Sequence, residues 1–242
     1  MQIMGIVNLT PDSFFESSRV TAESALPRIE AMIGEGADII DLGAVSTRPG
    51  AADVDVEEEW RRLSMVLGKL PSGVEYSIDT TSAEIVRRAY ETIGTFIVND
   101  ISAGEDDPLM LKTVGGLSLP YVAMHKRGNP RTMDAQCDYP DGIISELKRY
   151  FIDFEKKAES FGIKEWILDP GLGFAKSFEQ NWEILYNLED LKMAGHPVLI
   201  GAADKRFTRG DTEAAHKVAI DHGADILRVH DVKKARQTAG LE

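Results

Sequence analysis

Two rhythms of apolar residues alternate along the chain. Short runs rich in Val, Ile and Leu stand at 2–7, 38–42, 75–78, 95–98, 120–123, 166–168, 197–200 and 225–229. Runs of this kind suit strands that are buried on both faces. Between them, apolar residues return at helical spacing. SALPRIEAMIGEGAD places Leu26, Ile29, Met32 and Ile33 on one face and stops at glycine. SAEIVRRAYETIG and SELKRYFIDFEKKAESFG follow the same rule. Strand and helix signals alternate through the chain, and no Pro/Gly/Ser linker interrupts 1–242. The pattern predicts a single α/β domain built as a (β/α)8 TIM barrel. The alternative is an open, doubly wound sheet. No G-x-G-x-x-G run follows the first strand, which disfavours the dinucleotide-binding form of that sheet.

In a barrel the active site forms where the C-terminal ends of the strands meet. The residues expected there are polar in type. The first strand runs into Asn8, the third into Asp79, the fourth into Asn99 and Asp100, the fifth into Met124 and His125, and the sixth into Asp169. Asp41 opens the second strand's polar stretch, Lys205 follows the seventh, and Arg228 and His230 close the eighth. For any one of these residues alone, helix capping or a turn is the simpler reading. Capping does not explain apolar strands that end in Asp or Asn in three separate units. Buried carboxylates need partners. Several converging on one axis suit a ligand rich in N–H donors. The cations Arg48, Lys205, Arg228 and His230 come from other strand ends, and arginine suits bidentate phosphate binding.

Charge narrows the partners. The formal net charge is −13, so the overall field repels duplex nucleic acid and anionic membrane surfaces, and a phosphorylated substrate needs a local basic patch. No apolar run approaches membrane-spanning length, and MQIMGIVNLTPDSF is too short and too polar after Val7 for a signal peptide. The one cysteine, Cys137, excludes an internal disulfide and fits a reducing, cytoplasmic setting.

Seven ordered blocks resemble dihydropteroate synthases: MGIVNLTPDSFFESSR, DLGAVSTRPGAADVDVEEE, SIDT, VNDISAG, MHKRGNPRTM, ILDPGLGFAKSFEQNWEIL and RVHDV. They cover nearly the whole chain. The resemblance implies condensation of a dihydropterin pyrophosphate with 4-aminobenzoate, giving 7,8-dihydropteroate on the folate route, with sulfonamides as inhibitors. It implies that Asp79, Asn99, Met124, Asp169 and Lys205 hold the pterin. Asn8, Arg48, Arg228 and His230 would hold the diphosphate and, with Lys205, serve catalysis, with Mg²⁺ near Asn8. Thr47, Pro49 and Phe174 would border the aminobenzoate. It also implies a homodimer. No side-chain nucleophile is required, and no Ser-His-Asp or Cys-His arrangement is visible.

Departures from the family lie in three places. Ala44 and Val45 stand where glycine and glutamate are usual, and Glu16-Ser-Ser-Arg19 replaces a glycine-rich run. Ala203-Asp204-Lys205-Arg206 replaces Ser-Arg-Lys-Ser, so Arg206 stands where a serine binds the aminobenzoate carboxylate. The segment 201–223 is also about ten residues short, so a shortened seventh unit is expected. Two other functions stay open at this level. One is a pterin-dependent methyltransferase, and the other is a pterin-binding homologue with weak or no turnover.

Overall fold

The computed structural model describes residues 1–10, 22–45, 54–128, 132–193, 195–203 and 205–241. Eight strands run in parallel: β1 (Gln2–Asn8), β2 (Ile39–Gly43), β3 (Glu75–Asp79), β4 (Ile97–Asp100), β5 (Tyr121–Met124), β6 (Trp166–Asp169), β7 (Leu199–Ile200) and β8 (Ile226–Val229). Each pairs with its neighbour in sequence from β1 to β6, β1 also pairs with β8, and β8 with β7. A single bridge, Leu168 to Val198, joins β6 to the foot of β7 and brings the sheet round to a nearly closed barrel. An open doubly wound sheet would not pair its first strand with its last.

The helices cover the outside: α1 (Ala22–Gly34), α2 (Val56–Leu67), α3 (Ala83–Ile93), α4 (Met110–Leu117), α5 (Ile143–Phe161), α6 (Phe178–Tyr186), α7 (Leu188–Leu191), α8 (Thr212–Asp221) and α9 (Val232–Thr238). Local sequence explains their bounds. Ser82 caps α3 by accepting from Ile85 N, while Ile85, Val86 and Ala89 face the sheet. Ser177 and Gln180 form a reciprocal capping box at the start of α6. In α5, Leu147, Phe151, Phe154 and Ala158 form one buried stripe, which ends at Gly162 in the left-handed region. The seventh unit is compact: β7 has two residues and α8 has ten.

Period-two alternation sorts the strand residues into two sets. Met4, Ile39, Ile97, Val122, Ile167, Leu199 and Ile226 form a separate apolar cluster that fills the barrel's interior. The other parity packs under the helices in the main core. The expected strands stop one or two residues early at several C-terminal ends. Asn8, Gly43, Asp79, Asp100, Met124 and Asp169 lie inside the paired ladders. Asp41, expected at the opening of a strand end, lies in the middle of β2 and is fully buried.

Asp100 shows what the outward parity does. Its carboxylate accepts from Ser102 N and Oγ (both 2.7 Å), Gly104 N (2.8 Å) and the buried Tyr121 hydroxyl (2.6 Å). It fastens the β4 turn to β5 and does not face the barrel axis. Asp100→Ala strands several buried donors at once and should cost about 3 kcal/mol of unfolding free energy, against about 1 kcal/mol for Tyr121→Phe. Urea denaturation measures both, and an Asp100→Ala variant as stable as the parent would refute this role.

Candidate active site

Two residues beyond the apolar interior layer, the same parity turns polar. Ile39 is followed inward by Asp41, Ile97 by Asn99, Ile167 by Asp169 and Ile226 by Arg228. Ser77 and Asp79 take the corresponding places on β3, level with Asp41 and Asn99. The carboxylates and cations expected at the strand ends therefore do converge on one axis.

Arg228 lies at the centre. Its Nε donates to Asp41 Oδ2 at 2.7 Å, and its Nη2 donates to Asp79 Oδ2 at 2.6 Å. Asn99 Nδ2 donates to the same Asp41 carboxylate at 3.2 and 3.3 Å. Asp169 accepts from Gly171 N at 2.7 Å as the chain turns over Pro170. The two sharp turns after β6 use glycines with positive φ. A side chain at Gly171 would also sit 2.0 Å from the His125 carbonyl oxygen, so β5 and this loop touch through bare backbone.

Burial and charge perturb the titrating groups. Desolvation pushes the Asp79 carboxyl up to about 7, with Arg228 pulling the other way and Asp41 adding repulsion. Desolvation also raises Asp169, opposed by the Gly171 hydrogen bond and by Lys205. Lys205 is brought down to about 8, first by burial and then by Arg228, against the pull of Asp169 and Asp79. Burial alone would lower Arg228, but Asp41 and Asp79 outweigh it and hold the guanidinium charged.

The second half of the site is flatter and more apolar. Met124 pairs in register with Asp169 and belongs to a small cluster with Met133, Phe174 and Ala175. Lys205 Nζ lies 4.2 Å from the Phe174 ring centroid, a cation–π contact, and its stem runs beside Gly173. Asn8 is exposed at the end of β1, and Gly43 stands between it and Asp79 without a side chain to divide them. His230 is half-buried just past β8, and its carbonyl accepts from Arg28 at 2.6 Å. Arg206 is exposed at the start of the 3-10 turn Arg206–Thr208.

The structure thus groups Asp79, Asn99, Asp169, Arg228 and Lys205, with Met124 and Phe174 beside them. Arg48, Thr47 and Pro49 lie outside the described residues, as do Asp204 and Glu16. So does most of the two loops, TPDSFFESSR and STRPGAADVD, whose ordering by ligand is expected from their composition. Sequence reasoning gave no site role to Asp41, whose signal was one acid inside the apolar run IIDLG. It also passed over Lys176, which looks like an ordinary solvated loop lysine.

Asp79 gives a test of these electrostatics. Its folded-state pKa is raised, so the folded protein keeps a proton there while the unfolded chain releases it. The stability it lends is complete below about pH 4 and is lost as pH rises through about 7. Asn mimics the protonated carboxyl. The stability difference between Asp79→Asn and the parent should move in favour of Asn by on the order of 2 kcal/mol between pH 5 and pH 8. A difference that stays flat with pH would contradict the raised pKa.

A family model described as pterin binding enzyme matches residues 4–230. The folic acid synthesis protein fol1 of Pneumocystis carinii is 42% identical over 254 residues, covering 95% of this chain and 34% of that longer protein. The dihydropteroate synthase of Synechocystis sp. is 39% identical over 252 residues, covering 97% of this chain and 86% of its own. Among solved structures, Yersinia pestis dihydropteroate synthase in a sulfonamide drug complex superposes with TM-score 0.92 at 32% identity, covering 99% of this chain and 92% of that one. Xanthomonas albilineans dihydropteroate synthase with 4-aminobenzoic acid gives 0.89 at 35% identity, covering 99% and 91%.

Proposed function

The chain belongs to the family of pterin binding enzymes, and from that premise we propose that it is a dihydropteroate synthase. It condenses 6-hydroxymethyl-7,8-dihydropterin pyrophosphate with 4-aminobenzoate, releasing pyrophosphate and 7,8-dihydropteroate. The observation that carries this reading is the inward-facing set Asp79, Asn99, Asp169, Lys205 and Arg228, closed on one side by Phe174.

Each residue then has a task. Asp169 and Asn99 offer oxygen acceptors to the N–H groups of the pterin, and Asp79 has lone pairs beyond those used by Arg228. Lys205 and Met124 border the same ring. Arg228, His230 and Arg48 neutralise the diphosphate as the bond from the pterin methylene to its oxygen breaks. The bond to the aminobenzoate nitrogen forms, and that nitrogen loses a proton. The protein's part is positioning and charge stabilisation. Phe174, Thr47 and Pro49 flank the aminobenzoate, and Arg206 offers its carboxylate a guanidinium.

Magnesium is part of the proposal. Among the described residues no group of three or more His, Cys, Asp or Glu could hold a metal. An ion that keeps most of its waters and takes diphosphate oxygens needs only a sparse protein donor such as the exposed Asn8 amide oxygen, so the residues fit. Bound there, Mg²⁺ would neutralise the leaving group. A homodimer is proposed on the strength of the exposed Phe178 and Tyr186 on α6. A cytoplasmic setting is proposed too. It is supported by the single cysteine, and none of the described helices is long and apolar enough to cross a membrane.

The deciding experiment is pyrophosphate release from the dihydropterin pyrophosphate, with and without 4-aminobenzoate. Release that depends on both supports the synthase, while a methyltransferase or a pterin binder without turnover gives none. Asp169→Ala should weaken pterin binding in calorimetry by about 2–3 kcal/mol, the scale of a lost charge-assisted bond. Arg228→Ala should impair the pyrophosphate substrate far more than free hydroxymethylpterin, and equal losses would remove it from the diphosphate site. Arg206→Ala should raise the KM for 4-aminobenzoate and leave pterin affinity alone. Exhaustive chelation should abolish turnover if the metal reading holds.

A further inference from the structure

Lys176 stands two residues past Phe174, where a charged loop residue would ordinarily reach water. Instead it is 8% exposed. Its Nζ lies 3.0 Å from His125 Nδ1, 3.3 Å from the His125 carbonyl oxygen and 2.9 Å from the Phe174 carbonyl oxygen. An ammonium has three N–H bonds, and three acceptors surround this one. Two belong to the end of β5, and the third belongs to the loop after β6.

The acceptors are held rigidly. His125 is 1% exposed and meets Tyr150 edge-on, with ring centroids 4.8 Å apart. The Tyr150 hydroxyl donates to the Met124 carbonyl at 3.0 Å. On the other side, Phe174 carries Lys205 over its ring, and Gly171 packs bare against the His125 carbonyl. Burial holds the His125 imidazole far below its ordinary range, at about 2, with Lys176 and Arg127 acting in the same direction. The ring is therefore neutral, and Nδ1 can accept from an ammonium while Nε2 carries the proton.

We propose that Lys176 is a positioning residue for the second substrate: its ammonium ties the end of β5 to the β6 loop and so fixes the Phe174 wall against which the aminobenzoate ring lies. The role rests on the function proposed above. A buried lysine is an expensive way to fill space, and an apolar side chain of similar volume would serve stability as well. What the apolar chain lacks is three donors aimed at two separate segments.

The clamp is sensitive to pH. Burial brings the Lys176 ammonium down to about 7, Asp169 works against that shift, and Lys205 reinforces it. The charged or titratable groups around it are His125 and Arg127 beyond β5, Asp169 at the end of β6, Cys137 before α5, and Lys205 beyond β7. Loss of the proton as pH rises through about 7 leaves an amine with one donor fewer than the acceptors need.

The test compares Lys176→Met with the parent. The KM for 4-aminobenzoate should rise about tenfold, and the pterin dissociation constant, which feels the wall only through Lys205 on Phe174, by about threefold or less. The Gly173 and Phe174 amides should exchange with deuterium about tenfold faster. In the parent, the KM for 4-aminobenzoate should climb from about pH 6 to about pH 8.5, and in Lys176→Met that climb should be smaller, with only the part owed to Asp79 and Lys205 remaining. Unchanged KM and exchange would overturn the proposal, as would equal losses for pterin and aminobenzoate. If Lys176→Met does not fold, His125→Leu removes one acceptor while His125→Asn keeps an oxygen near Nδ1. Only the first should raise the KM, and equal behaviour of the two overturns the clamp. A parent that releases no pyrophosphate overturns the functional reading instead, and the exchange rates, which need no turnover, then decide the clamp by themselves.

Discussion

The site depends on one partly buried cation shared by two carboxylates. Arg228 sits between Asp41 and Asp79 above an apolar barrel interior, with Asn99 completing the coordination of Asp41. An unpaired guanidinium or carboxylate at that depth would cost several kcal/mol. Each group therefore fixes the others. Asp41 is fully buried, with Arg228 and Asn99 as its donors, and Arg228 keeps its charge in spite of burial because both acids face it. The charges do not cancel, however. Asp41, Asp79 and Asp169 outnumber Arg228 and Lys205, and the Asp79 carboxyl, raised first by desolvation, is raised further by Asp41 against the pull of Arg228. A ligand that brings N–H donors for the acids and anionic oxygens for the cations relieves both imbalances. That is why the acids and the basic groups belong to one pocket and are not two independent sites.

The period of the strand selects which polar residues take part. Asn99 and Asp100 are adjacent in β4, and each is short and polar. Asn99 follows Ile97 on the inward parity and meets Asp41, while Asp100 turns outward and is used up by Ser102, Gly104 and Tyr121. Read as letters, the two are equivalent. Only the pleat separates a pocket residue from a structural one, and a register slip of one would exchange them.

That pleat also explains what could be read from the sequence and what could not. The alternation of apolar runs with helical periods was enough for the barrel, because each strand here is buried on both faces. The residues at Asp79, Asn99, Asp169, Arg228 and Lys205 stood out because acids, amides and cations are rare at the ends of such runs. The strand ends read short because a terminal Asp or Met still pairs with its neighbour, and pairing is a property of two strands. Asp41 was hidden for a related reason. Its partner Arg228 is 187 residues away, and nothing local announces the pair. Lys176 was hidden more deeply, since its three acceptors are a ring nitrogen and two backbone carbonyls, which have no sequence signature.

The altered run at 203–206 looks different once the neighbours of Lys205 are known. Substitution on both sides of a lysine that reaches into a pocket would ordinarily threaten its placement. Here the lysine backbone is held from within the loop, by Lys205 N to Ala202 O at 3.3 Å and by Thr208 Oγ1 to Lys205 O at 2.9 Å. Its side chain is held from outside the loop, by Gly173 along the stem and by the Phe174 ring under the ammonium. Neither support uses a side chain at 203 or 206. The loop after β6 therefore does part of the positioning that the loop after β7 would otherwise do, and that loop is itself tied to β5. Changes at 203 and 206 can then leave Lys205 in its place over the Phe174 ring.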